Sequence, residues 1–128
     1  MSIEKQNETK FLNVDLDIQC MSGLENLLNV LNPHVYVLFN DEKKASVELN
    51  LEYRSLDETL QGFVELIKSL PQQSANIWNH CEKRVFNIGI QGGIKPQETF
   101  FFLSHKTLSL LTSIEAEVQI TVYAPPRQ

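Results

Sequence analysis

The side chains best suited to chemistry in this chain are Cys20, Cys81, His34, His80 and His105. None are paired at a C-x-x-C or H-x-x-x-H spacing, and structural zinc wants four convergent ligands, so no metal site is expected. His80 and Cys81 are adjacent, which on a regular element points their side chains apart. A cysteine nucleophile needs a base within hydrogen-bond reach and a third group to orient that base, and no third group is apparent. Cys20 follows the inward alternation of its strand and reads as a small buried hydrophobe. Cys81 falls in an irregular stretch and is expected to be partly exposed. Two cysteines are too few for a disulfide scaffold.

The remaining catalytic signatures are missing. The chain has no G-x-S-x-G, Walker A, G-x-G-x-x-G or H-E-x-x-H motif. Gly92-Gly93 follows a strand, but Pro96 intervenes before any helix start, so the pair reads as a turn; a phosphate cradle needs the helix N-terminus. His105 lies in the first turn of a helix and reads as a hydrogen-bonding surface residue. Trp78, the single tryptophan, reads as a lid over one end of the core; its functional reading is a ligand cleft shared with Gly92 and Gly93. No catalytic residue and no cofactor are expected.

One constellation stands out. Asp15 and Asp17, then Glu48 and Glu52, then Glu117 with Glu115 just before it, occupy the outward positions of three alternating segments. Asn13, Gln19, Asn50, Gln119 and Thr121 accompany them, and Arg54 is the cation at matching parity. Clustered carboxylates repel, and a basic partner would relieve that cost and be steered in by it. A flat strand face does not wrap a calcium ion.

These residues are positioned by elements with clear signals. Leu12, Val14, Leu16, Ile18 and Cys20 alternate with polar residues, the pattern of a half-buried strand. Ser22-Gly23-Leu24-Glu25 has the form of a capping box, followed by Leu24, Leu27, Leu28 and Leu31 at helical spacing and a stop at Asn32-Pro33. Val35 to Phe39 is a second strand, a polar turn follows over 40–44, and Val47, Leu49, Leu51 and Tyr53 make a third. Ser55-Leu56-Asp57-Glu58 is a second capping box, heading Leu56, Leu60, Phe63, Val64, Ile67 and Leu70. A short helical turn is expected around Ile77 and Trp78. Phe86, Ile88 and Ile90 face inward from a fourth strand. Thr99 to Leu103 reads as a fifth. Ser104 caps a third helix, with Leu103 and Leu108 as a hydrophobic staple and Leu108 and Leu111 as its buried edge. Glu115 to Tyr123 reads as the last strand.

The order, β-α-β-β-α-β then β-α-β, predicts an α+β two-layer sandwich: a ferredoxin-like plait extended by a further βαβ unit, with a mainly antiparallel sheet and three helices on one face. Residues 1–10 read as a disordered lead-in, 11–124 as a single domain and 125–128 as a tail. At 128 residues, one core suffices.

The formal net charge of −5 argues against nucleic-acid binding, which needs a basic face, and against attraction to an anionic membrane. The polar N-terminus has no apolar run of a signal peptide, and no stretch approaches the ~20 residues that span a bilayer. A cytoplasmic location is therefore expected.

From Asp15 onward the chain resembles a bacterial family catalogued as domain of unknown function 4279. The resemblance rests on the helix from Ser55-Leu56-Asp57-Glu58 to Leu70, on Val85-Phe86-Asn87-Ile88-Gly89-Ile90, and on the run from Phe102-Leu103-Ser104 to Val122-Tyr123. The chain departs from the family between Asn32 and Ala45, where a glycine- and proline-rich connection would be expected. The resemblance implies a small bacterial α+β domain and an immunity-like role as a toxin partner; it supplies no catalytic residues. Two functions follow as expectations: a non-catalytic protein-interaction domain that uses the acidic face, Asp15, Asp17, Glu48 and Glu52, against a basic protein; or a small-molecule-binding regulatory domain that works as a dimer.

Overall fold

Alternation in the first strand sorts its side chains between two environments. Val14, Leu16 and Ile18 are buried, while Asn13, Asp15, Asp17 and Gln19 are half-buried on the opposite face. That strand is the centre of the sheet in a computed structural model that describes residues 7–125. In chain order the elements are β1 (Lys10–Gln19), α1 (Leu24–Leu31), a 3-10 turn (Asn32–His34), β2 (Val35–Asn40), β3 (Lys44–Leu49), α2 (Leu56–Lys68), α3 (Gln72–His80), β4 (Lys83–Gln91), α4 (His105–Ser113) and β5 (Glu117–Tyr123).

The protein is α+β, with a mixed five-stranded sheet in the order β2-β3-β1-β4-β5. The β2/β3, β3/β1 and β1/β4 pairs are antiparallel; β4 and β5 run parallel. Val14, Leu16 and Ile18 of β1 join Leu27 and Leu31 of α1, Leu60, Phe63 and Val64 of α2, Trp78 of α3 and Leu111 of α4 in one apolar cluster. Phe63 and Phe86 meet ring to ring at 5.0 Å, a spacing at which tilted aromatic pairs attract beyond their burial.

Local chemistry explains most boundaries. Ser55 caps α2 by accepting the Glu58 N–H at 3.1 Å, and Ser104 caps α4 by accepting the Thr107 N–H at 3.1 Å. Each satisfies an N–H that the first turn leaves without an intrahelical partner. The β2–β3 turn closes on Asp41, whose Oδ1 accepts the N–H groups of Lys43 and Lys44. The start of α1 departs from the expected box: Gly23, not Ser22, is the cap residue, at φ 85° and with no side-chain hydrogen bond. Only glycine adopts that φ without strain, and the side chain of Ile77 from α3 occupies the space beside it.

Several expectations are corrected. Among the described residues there are four α-helices, because the expected turn around Trp78 is the nine-residue α3. Thr99 to Leu103 is not a strand: it pairs with no ladder, and Phe100 and Phe102 are 84% and 73% exposed. Its apolar residues mimic a buried strand, but none of them joins the ladders of the sheet. The closing unit is therefore β4-α4-β5, with β4 shared. β3 ends at Leu49, before Leu51 and Tyr53. Leu108 is 49% exposed, so the buried residues of α4 are Thr107 and Leu111. The expected lead-in is ordered from Asn7: Ile94 N–H donates to Asn7 O, Thr9 N–H to Lys95 O, and Thr9 Oγ1 to Gly93 O. Residues 1–6 and 126–128 lie outside the described residues.

Candidate functional site: the open sheet face

Strand register converts Asn13, Asp15, Asp17 and Gln19 of β1 into a map of the sheet face opposite the apolar cluster. Gln19 stands between Lys44 of β3 and Lys83 of β4. The next row holds Ser46, Asp17, Val85 and Glu117. Beyond it, Asp15 faces Asn87, which faces Gln119, while Glu48 approaches Asp15 from β3. Asn13, Gly89 and Thr121 form the last row. Tyr36 pairs with Glu48, and Phe39 pairs with Ser46 beyond a register shift in β2. Both aromatics are more than half exposed.

The polar side chains are tied together in pairs. Asn13 Nδ2 donates to Asp15 Oδ1 at 3.1 Å and to Glu48 Oε2 at 3.4 Å. Ser46 Oγ donates to Asp17 Oδ1 at 2.8 Å, and Thr121 Oγ1 to Asn87 Oδ1 at 2.8 Å. Gly89 makes the first of these arrangements possible, because a Cβ there would stand 2.7 Å from Asn13 Oδ1.

Asp15 carries the electrostatic consequence. Partial burial, then the charge of Glu48, then that of Asp17 push its carboxyl up from 3.8 to about 6. Removal from water and like charges both disfavour the ionised form. Among the described residues, the one ion pair is Arg84–Glu115, away from this cluster.

Of the expected acidic set, the structure brings Asp15, Asp17 and Glu48 together. Glu52 belongs to the loop beyond β3; it lines, with Glu48, Asn13, Tyr36, Tyr53 and Arg54, an open groove of about 540 Å³ at the end of β1 and β3. Glu117 sits at the far edge, separated from Asp17 by Val85. Lys44 and Lys83 were missed as face residues. Lys83 begins β4, and a strand's alternation carries no marker of its first residue. The face is thus not uniformly acidic: it runs from two lysines at one end to the carboxylates at its centre.

The Trp78, Gly92 and Gly93 cleft is corrected. Trp78 is 2% exposed, and its Nε1 donates to Ile114 O at 3.0 Å. It is a core residue whose one polar atom is satisfied. Arg84, at the start of β4, has its guanidinium 6.0 Å from the Trp78 ring. Gly92 follows the other end of β4, where its N–H donates to Tyr123 O, roughly 25 Å along the strand at ~3.3 Å per residue.

The cysteines are corrected as well. Cys20 and Cys81 form a disulfide, both buried, with 61 residues of sequence separation. Each sits just past the end of an element, β1 and α3, and Glu82 N–H donates to Gln19 O beside the bond. His80 Nδ1 lies 2.7 Å from Asn76 O. Among the described residues, no group of three or more His, Cys, Asp or Glu side chains is arranged to hold a metal ion. Among the described residues, no helix is long and apolar enough to cross a membrane. No protein-family model, curated protein or solved structure matches the chain.

Proposed function

We propose that this chain is a non-catalytic protein-interaction domain whose uncovered sheet face receives a basic partner protein. The observation that carries the reading is the packing of Asp15, Asp17 and Glu48 on the sheet face opposite the apolar cluster, where partial burial first and then the charges of Glu48 and Asp17 lift the Asp15 carboxyl to about 6. Such an arrangement costs the isolated fold stability, and an approaching lysine or arginine would remove the cost and be drawn in by the field. Tyr36 and Phe39 beside the carboxylates supply the exposed aromatic area in which interface binding energy concentrates. The bonded state of Cys81 supports the non-catalytic reading, since it takes away the thiol an enzyme would have used.

The order and antiparallel pairing of β1 to β4 support a ferredoxin-like core with β5 added at one edge. The Ser55-capped α2, the strand β4 and the Ser104-capped α4 leading to Tyr123 are the segments on which membership of the domain of unknown function 4279 family is proposed, and with it a bacterial, immunity-like role. The disulfide weighs against the cytoplasmic location expected from sequence and favours an oxidising compartment, where such bonds persist.

The test compares partners captured by the wild-type protein with those captured by a variant carrying Asp15→Asn, Asp17→Asn and Glu48→Gln, with folding checked by circular dichroism. A basic protein retained by the first and lost by the second, with salt-sensitive affinity, is the expected result. An identical set of partners sinks the reading.

A second reading, a small-molecule-binding regulatory domain, is favoured by the groove between Glu48, Glu52, Arg54 and the two tyrosines. Its polar walls suit a zwitterionic or hydroxylated ligand rather than an apolar one. Chemical-shift changes confined to Tyr36, Tyr53 and Arg54 on titration with amino acids and sugars would support it; their absence across such a panel would not.

A further inference from the structure

The edge strand β5 is built unlike the other edge. β2 carries a register shift between Val37 and Phe39 that interrupts its ladder. β5 pairs with β4 residue for residue from Glu117 to Tyr123, with no shift. It has no proline or lysine, and no described strand lies on its outer side. Proteins usually blunt such edges with bulges, prolines or lysines, because an unpaired strand invites another.

The outward groups of β5 can be assigned. Gly92 N–H donates to Tyr123 O, so Tyr123 turns its backbone toward β4. By alternation along a parallel ladder, Glu117, Gln119 and Thr121 do the same, and the N–H and C=O groups of Val118, Ile120 and Val122 point to the free edge. The side chains of those same three residues lie on the helix side of the sheet, in register with buried Phe86, Ile88 and Ile90. They are nonetheless 40%, 63% and 64% exposed, because α4 packs against α2.

We propose that β5 pairs antiparallel with β5 of a second copy, about a two-fold axis at Ile120, doubling the five-stranded sheet. This register is self-complementary. Ile120 faces Ile120 of the partner subunit, and Val118 faces Val122 of the partner subunit in both directions. About six backbone hydrogen bonds close the gap. The apolar triads meet on the helix side, while Gln119 and Thr121 meet on the open side. Glu117, the one charged residue of β5, falls opposite Tyr123 of the partner subunit rather than opposite its own counterpart. For a chain of net charge −5, this edge, whose single carboxylate falls opposite a tyrosine in this register, is a contact that brings two copies together without setting carboxylates against each other. A seven-residue edge is smaller than the ~800 Å² per partner of a standard interface, so the dimer depends on concentration. The carboxylate cluster stays accessible on both copies.

Sedimentation velocity over a concentration series tests the proposal, with an Ile120→Lys variant as control. The wild-type protein should shift from monomer to dimer. Ile120→Lys, which sets like charges face to face, should weaken association roughly tenfold or more while keeping the circular dichroism spectrum. Ile120→Cys tests the register: with Cys20 and Cys81 bonded to each other, it is the free thiol, and it should crosslink to itself faster than Val118→Cys or Val122→Cys alone. A mixture of the latter two should crosslink to each other. A protein that is monomeric at every concentration, a dimer untouched by Ile120→Lys, or equal crosslinking at all three positions overturns the proposal.

Discussion

Cys20, one residue past β1, is bonded to Cys81, one residue past α3, and the bond closes a loop with 61 residues of sequence separation. The loop contains α1, β2, β3, α2 and α3. In the chain-entropy treatment a loop of that length stabilises the fold by about 4 kcal/mol, through the unfolded chain's lost freedom. Cys20→Ser with Cys81→Ser, or reduction of the wild-type protein, should therefore lower the urea-unfolding free energy by ~2–4 kcal/mol. A loss below about 0.5 kcal/mol would mean the bond adds little that the core does not already supply.

Asp15 makes the protein's stability depend on pH in a defined direction. Its folded value near 6 lies above the ordinary 3.8, so folding favours the protonated form. The contribution is fully present below about 3.8 and is lost as pH rises through 6. Asp15→Asn removes the dependence and keeps the oxygen that accepts from Asn13. It should raise stability at pH 7.5 by on the order of 1 kcal/mol, discounted for partial exposure, and change little at pH 4. Equal effects at both pH values would contradict the assignment.

Arg84 ties three elements together. Its Nη1 donates to the carbonyls of Trp78, Asn79 and Cys81 at the end of α3, and its Nε to the Glu115 carbonyl. Glu115 adopts φ 54°, a turn that aims β5 along β4. A cation at a helix C-terminus also opposes the helix dipole. Arg84→Met keeps the aliphatic stem but leaves these carbonyls unanswered. The expected cost is about 2 kcal/mol, and faster amide exchange in β5 than in β1 should accompany it.

Asp57 joins the starts of α2 and α4, with Oδ1 accepting the Ser104 N–H at 2.7 Å and Oδ2 accepting from Gln61. Burial raises its carboxyl, but the hydrogen bonds from Ser104, Thr107 and Gln61 outweigh it and leave the group below its ordinary value. Its contribution is present above the ordinary carboxylate range and lost as pH falls through the lowered value. Asp57→Ala should cost about 1 kcal/mol at neutral pH, and its thermal melt should approach the wild type's in acid.

Much of this fold could be read in advance where a pattern is local. Val14, Leu16 and Ile18 alternate because one side of β1 is core; Ser55 and Ser104 announce helices because a hydroxyl there answers a free N–H. Non-local facts left no such trace. Thr99 to Leu103 has a strand's composition, yet a strand exists only where an edge is free to pair with it. The two cysteines meet only after β1 and α3 have been placed. Val118, Ile120 and Val122 alternate like core residues and lie on the core side, but nothing in their spacing says that α4 would leave them bare. In the candidate site, Asp15, Asp17 and Glu48 were legible from parity because β1 and β3 are neighbours. Glu52 was not, since the third strand stops three residues short of it.

The central place of β1 also sets an order of events during synthesis. β1 leaves the ribosome before either of its neighbours, β3 and β4. At about 5–20 residues per second, β4 follows β1 out of the ribosome after roughly 4–14 s. Until then Val14, Leu16 and Ile18 have no complete partner surface, and Cys20 has no sulfur to meet. The nascent chain therefore spends that interval with its central strand half sheltered, the window in which a chaperone would find it.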